Sequence, residues 1–336
     1  MILHFNYVVG IDISKKTFDV CISENNLNSE LLQFKVFQNN AKGFKAFVKW
    51  LSRYDISLKG TLFCMENTGL YHRSLASYLC NLKATVWVES GSQIKWSIGI
   101  QRGKTDKVDA KRIMVYAIRH IDKLKPYSDK DVDLQQLADL LALRRRLKDS
   151  YTKLLVPLKE LKATGLTDHV ETIEQAMSAS INALKNDIKD IEKRIKNLIE
   201  QSKQLKETYS YVTSVKSIGL IAACHLMIYT DCFTRFKSAK QIAAYSGIAP
   251  FEYKSGTSVK GRTRVHHLAN KNLKTILHMC AISSLAHNEE MKIYAARKVG
   301  EGKNKMLVLN SIRNKLLSRV FSCVKNKKMY TPHIAV

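Results

Sequence analysis

Tyr7-Val8-Val9-Gly10-Ile11-Asp12-Ile13-Ser14-Lys15-Lys16-Thr17-Phe18-Asp19-Val20-Cys21-Ile22 is the stretch on which the fold turns. A β-branched run meets a polar Ser-Lys-Lys turn and a second strand-like run follows, which predicts a β-hairpin. Alternation sets Asp12 on the face opposite Ile11 and Ile13. A carboxylate in so apolar a strand is costly unless a cation pairs with it.

Outward from the hairpin, strand patterns recur at 31–37, 60–65 and 84–88, and helical spacing at 43–54, 70–82 and 106–121. Three strands followed by strand-helix alternation predict a mixed α/β sheet with helices on its faces over 1–125. Residues 134–162 and 171–207 lack glycine and space Ile181, Leu184, Ile188, Ile191, Ile195 and Leu198 by three and four. That pattern predicts a coiled-coil helical hairpin over 126–209 with a break at 164–166, a spacer for dimerisation without chemistry of its own. Residues 210–336 read as a small, mainly helical domain, with helices near 218–223, 240–245, 268–287 and 305–324 around a basic, glycine-bearing loop at 249–264. The fold class is thus α/β plus all-α.

At 336 residues there is room for about two compact domains. Lys and Arg number 55 against 29 Asp and Glu, a net charge of +26, which points to a polyanionic partner and away from small neutral substrates. The excess is uneven: 19 basic and 10 acidic residues in 1–125, 15 and 14 in 126–209, and 21 and 5 in 210–336. No apolar run reaches membrane-spanning length and Met1 to Tyr7 lack the order of a signal peptide, so a cytoplasmic protein without membrane contact is expected. The seven cysteines show no C-x-x-C pairing and read as buried free thiols.

Four acids stand at predicted element ends: Asp12, Glu66, and the pair Asp106 and Asp109 in Lys104-Thr105-Asp106-Lys107-Val108-Asp109. The i, i+3 spacing puts the last two on one helix face, about 5–6 Å apart at Cβ. Hard divalent cations favour several carboxylate oxygens, and two Mg²⁺ about 4 Å apart clamp the attacking and leaving oxygens of a phosphodiester. The plainer reading makes Asp106 and Glu66 helix caps and pairs Asp109 with Arg112 on the surface.

Gly10-Ile11-Asp12-Ile13-Ser14-Lys15-Lys16-Thr17-Phe18-Asp19-Val20, Met65-Glu66-Asn67-Thr68-Gly69 and Lys104-Thr105-Asp106-Lys107-Val108-Asp109-Ala110 together resemble the signatures of the DEDD insertion-sequence transposases, the family numbered one hundred and ten. The resemblance continues through Phe236-Lys237-Ser238-Ala239-Lys240-Gln241-Ile242-Ala243-Ala244-Tyr245-Ser246-Gly247-Ile248-Ala249-Pro250, Lys254-Ser255-Gly256 and the basic stretch 264–274. It implies a RuvC-like, ribonuclease H-like first domain in which Asp12, Glu66, Asp106 and Asp109 hold Mg²⁺ or Mn²⁺. It also implies a C-terminal transposase domain whose nucleophile is Ser255, forming a 5′-phosphoserine link to DNA. A structured non-coding bridge RNA as guide, and a dimer or tetramer that joins acidic cluster and serine from different subunits, are further implications.

Among residues expected to meet nucleic acid, Lys104 and Lys107 flank the acids of the first domain. Lys254, Lys260, Arg262, Arg264, Lys271 and Lys274 surround the serine, where cations stabilise added phosphate charge. Ser258 is the alternative nucleophile. Two departures from the family pattern stand out: Lys216-Ser217 replaces the usual Pro-Gly, and His267, beside His266, replaces the usual Lys. Two other readings remain: a metal-dependent junction resolvase in which Ser255 only binds phosphate, and a nucleic-acid-binding protein with a decayed site, against which all four acids speak.

Overall fold

The structure is a computed structural model that describes residues 4–26, 32–99, 105–127, 132–165, 167–255 and 259–331, with only the backbone described at 98, 167–169, 251–255, 259–260 and 262–264. β1 (Tyr7–Ile13) and β2 (Thr17–Glu24) form the expected antiparallel hairpin, closed where the Ser14 amide donates to the Thr17 carbonyl at 2.9 Å. β3 (Gln33–Gln38) extends it on one side, while β4 (Thr61–Glu66) and β5 (Thr85–Glu89) add in parallel on the other, giving the order β3-β2-β1-β4-β5. This is the mixed sheet of a RuvC-like domain.

Alternation divides the strands between two cores. Ile11, Ile13, Phe18, Phe63 and Met65 pack under α1 (Ala41–Ser52) and α2 (Arg73–Asn81). Val8, Cys21, Leu62, Cys64 and Trp87 pack under α3 (Gly91–Ile98) and α4 (Asp106–Arg119). α4 lies so close to β1 that a side-chain carbon at Gly10 would fall 2.3 Å from both the Ala110 oxygen and the Met114 nitrogen. Glycine at this strand position is therefore a packing requirement. It lets the first turn of α4 reach the end of β1.

The chain divides into two units, 1–129 and 130–336, described separately. In the second, α5 (Val132–Ala163) and α6 (Thr167–Gln201) form the expected helical hairpin, which shares a core with α7 (Lys203–Ser214) and α8 (Leu220–Thr230) through Leu137, Leu141, Ile195, Leu205 and Met227. α9 (Ala239–Tyr245), α10 (Lys271–His287), α11 (Glu289–Gly300) and α12 (Lys305–Asn326) build another core around Ile242, Leu277, Ile312 and Leu316.

Two sequence expectations are corrected, and two helices were not foreseen. The second helix of the middle block ends at Gln201 and restarts at Lys203, with Ser202 at extended dihedrals between. The segment 249–264 is a hairpin, β6 (Phe251–Ser255) against β7 (Val259–Arg264), rather than a loop. α3 and α11 were not foreseen, because among the described side chains each buries a single apolar one, Ile94 and Met291, which leaves almost no periodicity to read. None of the seven cysteines is tied in a disulfide, and six are buried. Among the described residues no helix is long and apolar enough to cross a membrane.

Candidate active site

The register of four adjacent strands assembles a row of carboxylates. Asp12 stands opposite Asp19, and Glu66 opposite Glu89. The last β1–β4 pair is Ile11 with Met65, so Asp12 and Glu66 each lie one residue beyond it. Alternation then sets Asp19, Asp12, Glu66 and Glu89 at one level of the sheet, on the face that carries α4. Thr105 caps α4, accepting from the Val108 amide at 3.3 Å, and Asp106 and Asp109 occupy its first turn, where the helix dipole favours negative charge.

The charges feel one another. Burial first, then Asp109, Asp106, Glu66 and Asp19, raise the Asp12 carboxyl from its ordinary 3.8 to about 6. Asp19 is raised by burial and then by Asp106. No ion pair reaches Asp12 among the described residues, whereas Asp109 accepts from Arg112 at 2.8 Å, the surface pairing foreseen as the plainer reading. Among the described residues no three of these groups are already drawn into a cation cage. Crowded carboxylates with a proton affinity raised by mutual repulsion nevertheless fit a divalent cation, whose charge relieves that repulsion.

Two contacts shape the row. A side-chain carbon at Gly91 would lie 2.0 Å from Glu66 Oε1, so the Glu66 carboxylate rests on the first residue of α3 and only glycine leaves it room. Glu89 accepts from the Ser90 amide at 2.7 Å and from the Tyr116 hydroxyl of α4 at 3.2 Å. Burial and then Glu89 push the Tyr116 phenol above its ordinary 10, so it stays a donor. In the loop after Glu66, Thr68 Oγ1 and His72 Nδ1 are buried without a hydrogen-bond partner. Burial, then Arg73, lowers His72 to about 4 and keeps it neutral at pH 7.

Sequence reasoning missed Asp19, Glu89 and Gly91. Asp19 was within reach, since counting outward from a turn at 14–17 pairs it with Asp12. Glu89 and Gly91 had no local signal, because a crossover sets the register of parallel strands.

Ser255 ends β6, facing Val259, and Lys254 is in register with Lys260. Lys107 sets its ammonium 4.4 Å from the Phe34 ring centroid. Lys271 is exposed in the first turn of α10, and Lys274 is half-buried with its stem near Gly247. Arg262 and Arg264 lie in β7, while Lys104 and Ser258 fall outside the described residues. Ser217 adopts a φ of 78°, a left-handed conformation that suits the glycine usual there. The rings of His266 and His267 stack at 4.6 Å.

A family model described as "Transposase", of the IS110 DEDD type, matches residues 9–161, and one described as "Transposase IS116/IS110/IS902 family" matches 209–296. The chain is 26% identical over 331 residues to the "Pilin gene-inverting protein" of Moraxella bovis, covering 97% of this chain and 98% of that protein. The protein of the same name from Moraxella lacunata matches to the same extent. An "Insertion element IS110 uncharacterized 43.6 kDa protein" of Streptomyces coelicolor is 23% identical over 164 residues, 49% of this chain and 39% of that one.

Proposed function

This chain belongs to the IS110 family of transposases, and on that premise we propose that it excises and inserts a mobile DNA element through two centres, the carboxylate row and Ser255. The observation that carries this reading is the convergence of Asp12, Glu66, Asp106 and Asp109 at one end of the sheet, where repulsion raises Asp12.

These four residues would hold Mg²⁺ or Mn²⁺, which when bound supplies positive charge to a phosphodiester. Glu66, seated on Gly91, and the first turn of α4, admitted by Gly10, orient the carboxylates. At the other centre the Ser255 hydroxyl oxygen bonds to a DNA phosphorus as the bond to the 3′ oxygen breaks, and the proton the hydroxyl gives up is balanced by the one the leaving 3′ oxygen takes up. Lys254, Lys260, Arg262 and Arg264 stabilise the phosphate charge. In the assembly the family resemblance implies, the α5–α6 hairpin dimerises the chain and the two centres come from different subunits. A structured bridge RNA guides the choice of DNA.

The name of the full-length relatives favours recombination, in which broken strands are rejoined, over hydrolysis by a resolvase. The test is recombination between plasmids bearing the element ends and a target, with the RNA that co-purifies. Asp12→Ala and Ser255→Ala each abolish recombination while retaining RNA binding; recombination surviving in either variant overturns the assignment of that residue.

A further inference from the structure

The second unit holds a cavity of about 540 Å³, within the range of small-ligand sites, lined among the described residues by α7, the segment after α8 and the end of α12. Its floor is aromatic, with Phe233, Phe236 and Phe321, and its mouth carries Lys237, Lys325 and Lys327. The three phenylalanines are buried or half-buried, and the three lysines are exposed. Glu207 also reaches the mouth, accepting from the Tyr211 hydroxyl at 3.2 Å and facing Lys327 at 4.0 Å.

One wall is strained. Asp231, Cys232 and Phe233 are three consecutive non-glycine residues with φ of 54°, 47° and 65°. The run is held from beneath: the Cys232 amide donates to the Met227 carbonyl at 2.8 Å and the Phe233 amide to the buried Thr230 hydroxyl at 3.0 Å. Backbone strain held by its surroundings clusters at ligand clamps. Here it sets Cys232 and Phe233 in the cavity wall.

We propose that this cavity receives one unpaired nucleotide of the nucleic acid the protein handles. The base stacks on the phenylalanine floor, the flanking phosphates meet Lys237, Lys325 and Lys327, and Glu207 accepts from an exocyclic amine. Aromatic faces with a cationic rim are what single-stranded binding requires, and extruding a base selects strands that are already open. Three lysines against one glutamate at the mouth attract phosphate and an acidic protein surface alike, and the aromatic floor, where Phe233 and Phe321 lie 6.4 Å apart, favours a base over the latter. The inference rests on the proposed function, since it needs a nucleic-acid substrate.

The experiment uses the full chain with single strands of about twelve nucleotides, DNA and RNA of one sequence, each carrying a single 5-iodouracil, and a duplex of the same sequence. Lys237→Glu with Lys325→Glu weakens single-strand binding about tenfold, beyond its effect on the duplex. Whether DNA, RNA or both lose affinity identifies the source of the nucleotide. Ultraviolet crosslinks on the unaltered protein map to Phe233, Phe236 or Phe321, a readout independent of how the variant folds. Unchanged affinity, an equal loss on duplex, or crosslinks confined elsewhere overturns the cavity. If the unaltered protein binds none of the probes, the proposed function fails with it, which separates the two failures.

Discussion

Asp12 shows how far single residues explain this molecule. Its carboxyl is raised to about 6, so the folded state retains a proton that the unfolded chain releases near 3.8. Stability associated with that proton is complete below about pH 3.8 and is lost as pH rises through about 6. Asp12→Asn therefore melts at higher temperature than the natural protein at pH 8 but not at pH 4, and Mg²⁺ raises the melting temperature of the natural protein far more than that of the variant. Equal melting curves at pH 8 would show that the carboxylates do not repel. Gly91 gives a second test: Gly91→Ala pushes the Glu66 carboxylate aside, so DNA cleavage falls by at least about tenfold, on the scale of a misplaced catalytic group, while thermal unfolding of the metal-free protein shifts little. Full cleavage would mean that Glu66 is not needed where it rests. The motif acids were legible in the sequence because each ends an element beside a turn. Their neighbours Glu89 and Gly91 were not, because only the folded sheet makes them neighbours.

At the scale of elements, β1, β2, β4 and β5 were legible from β-branched runs, and α5 and α6 from unbroken three- and four-residue spacing. β6 and β7 were not, because lysine, arginine and glycine hide the alternation that marks a strand. The α5–α6 hairpin buries its base, Leu137 and Leu141 against Ile195 and Leu198, in the second unit. Further along α6, Ile181, Leu184 and Ile188 are only half-buried, a stripe that suits a second copy of the chain. Ile181→Glu with Leu184→Glu accordingly lowers the mass measured by sedimentation to that of a monomer and leaves the helical circular dichroism signal in place. An unchanged mass would contradict a dimer seam on this stripe.

Across the whole molecule, net charge pointed to a polyanion and its division along the chain separated two basic segments from a nearly neutral helical one. The fold adds what charge counting lacks, since the acids of the basic first domain are gathered rather than scattered: six carboxylates from β1, β2, β4, β5 and α4 stand at one end of one sheet. A binding surface has no use for such a cluster, whereas phosphodiester chemistry does. The proposed chemistry passes through a serine-linked intermediate. DNA carrying the element ends and a radioactive label at the 3′ end, downstream of the break, is incubated with the protein, its co-purified RNA and Mg²⁺, then quenched in denaturant and resolved by electrophoresis. A serine-linked intermediate gives labelled protein that survives denaturation and disappears in Ser255→Ala and in Asp12→Ala; free labelled DNA ends with no protein attached would contradict it.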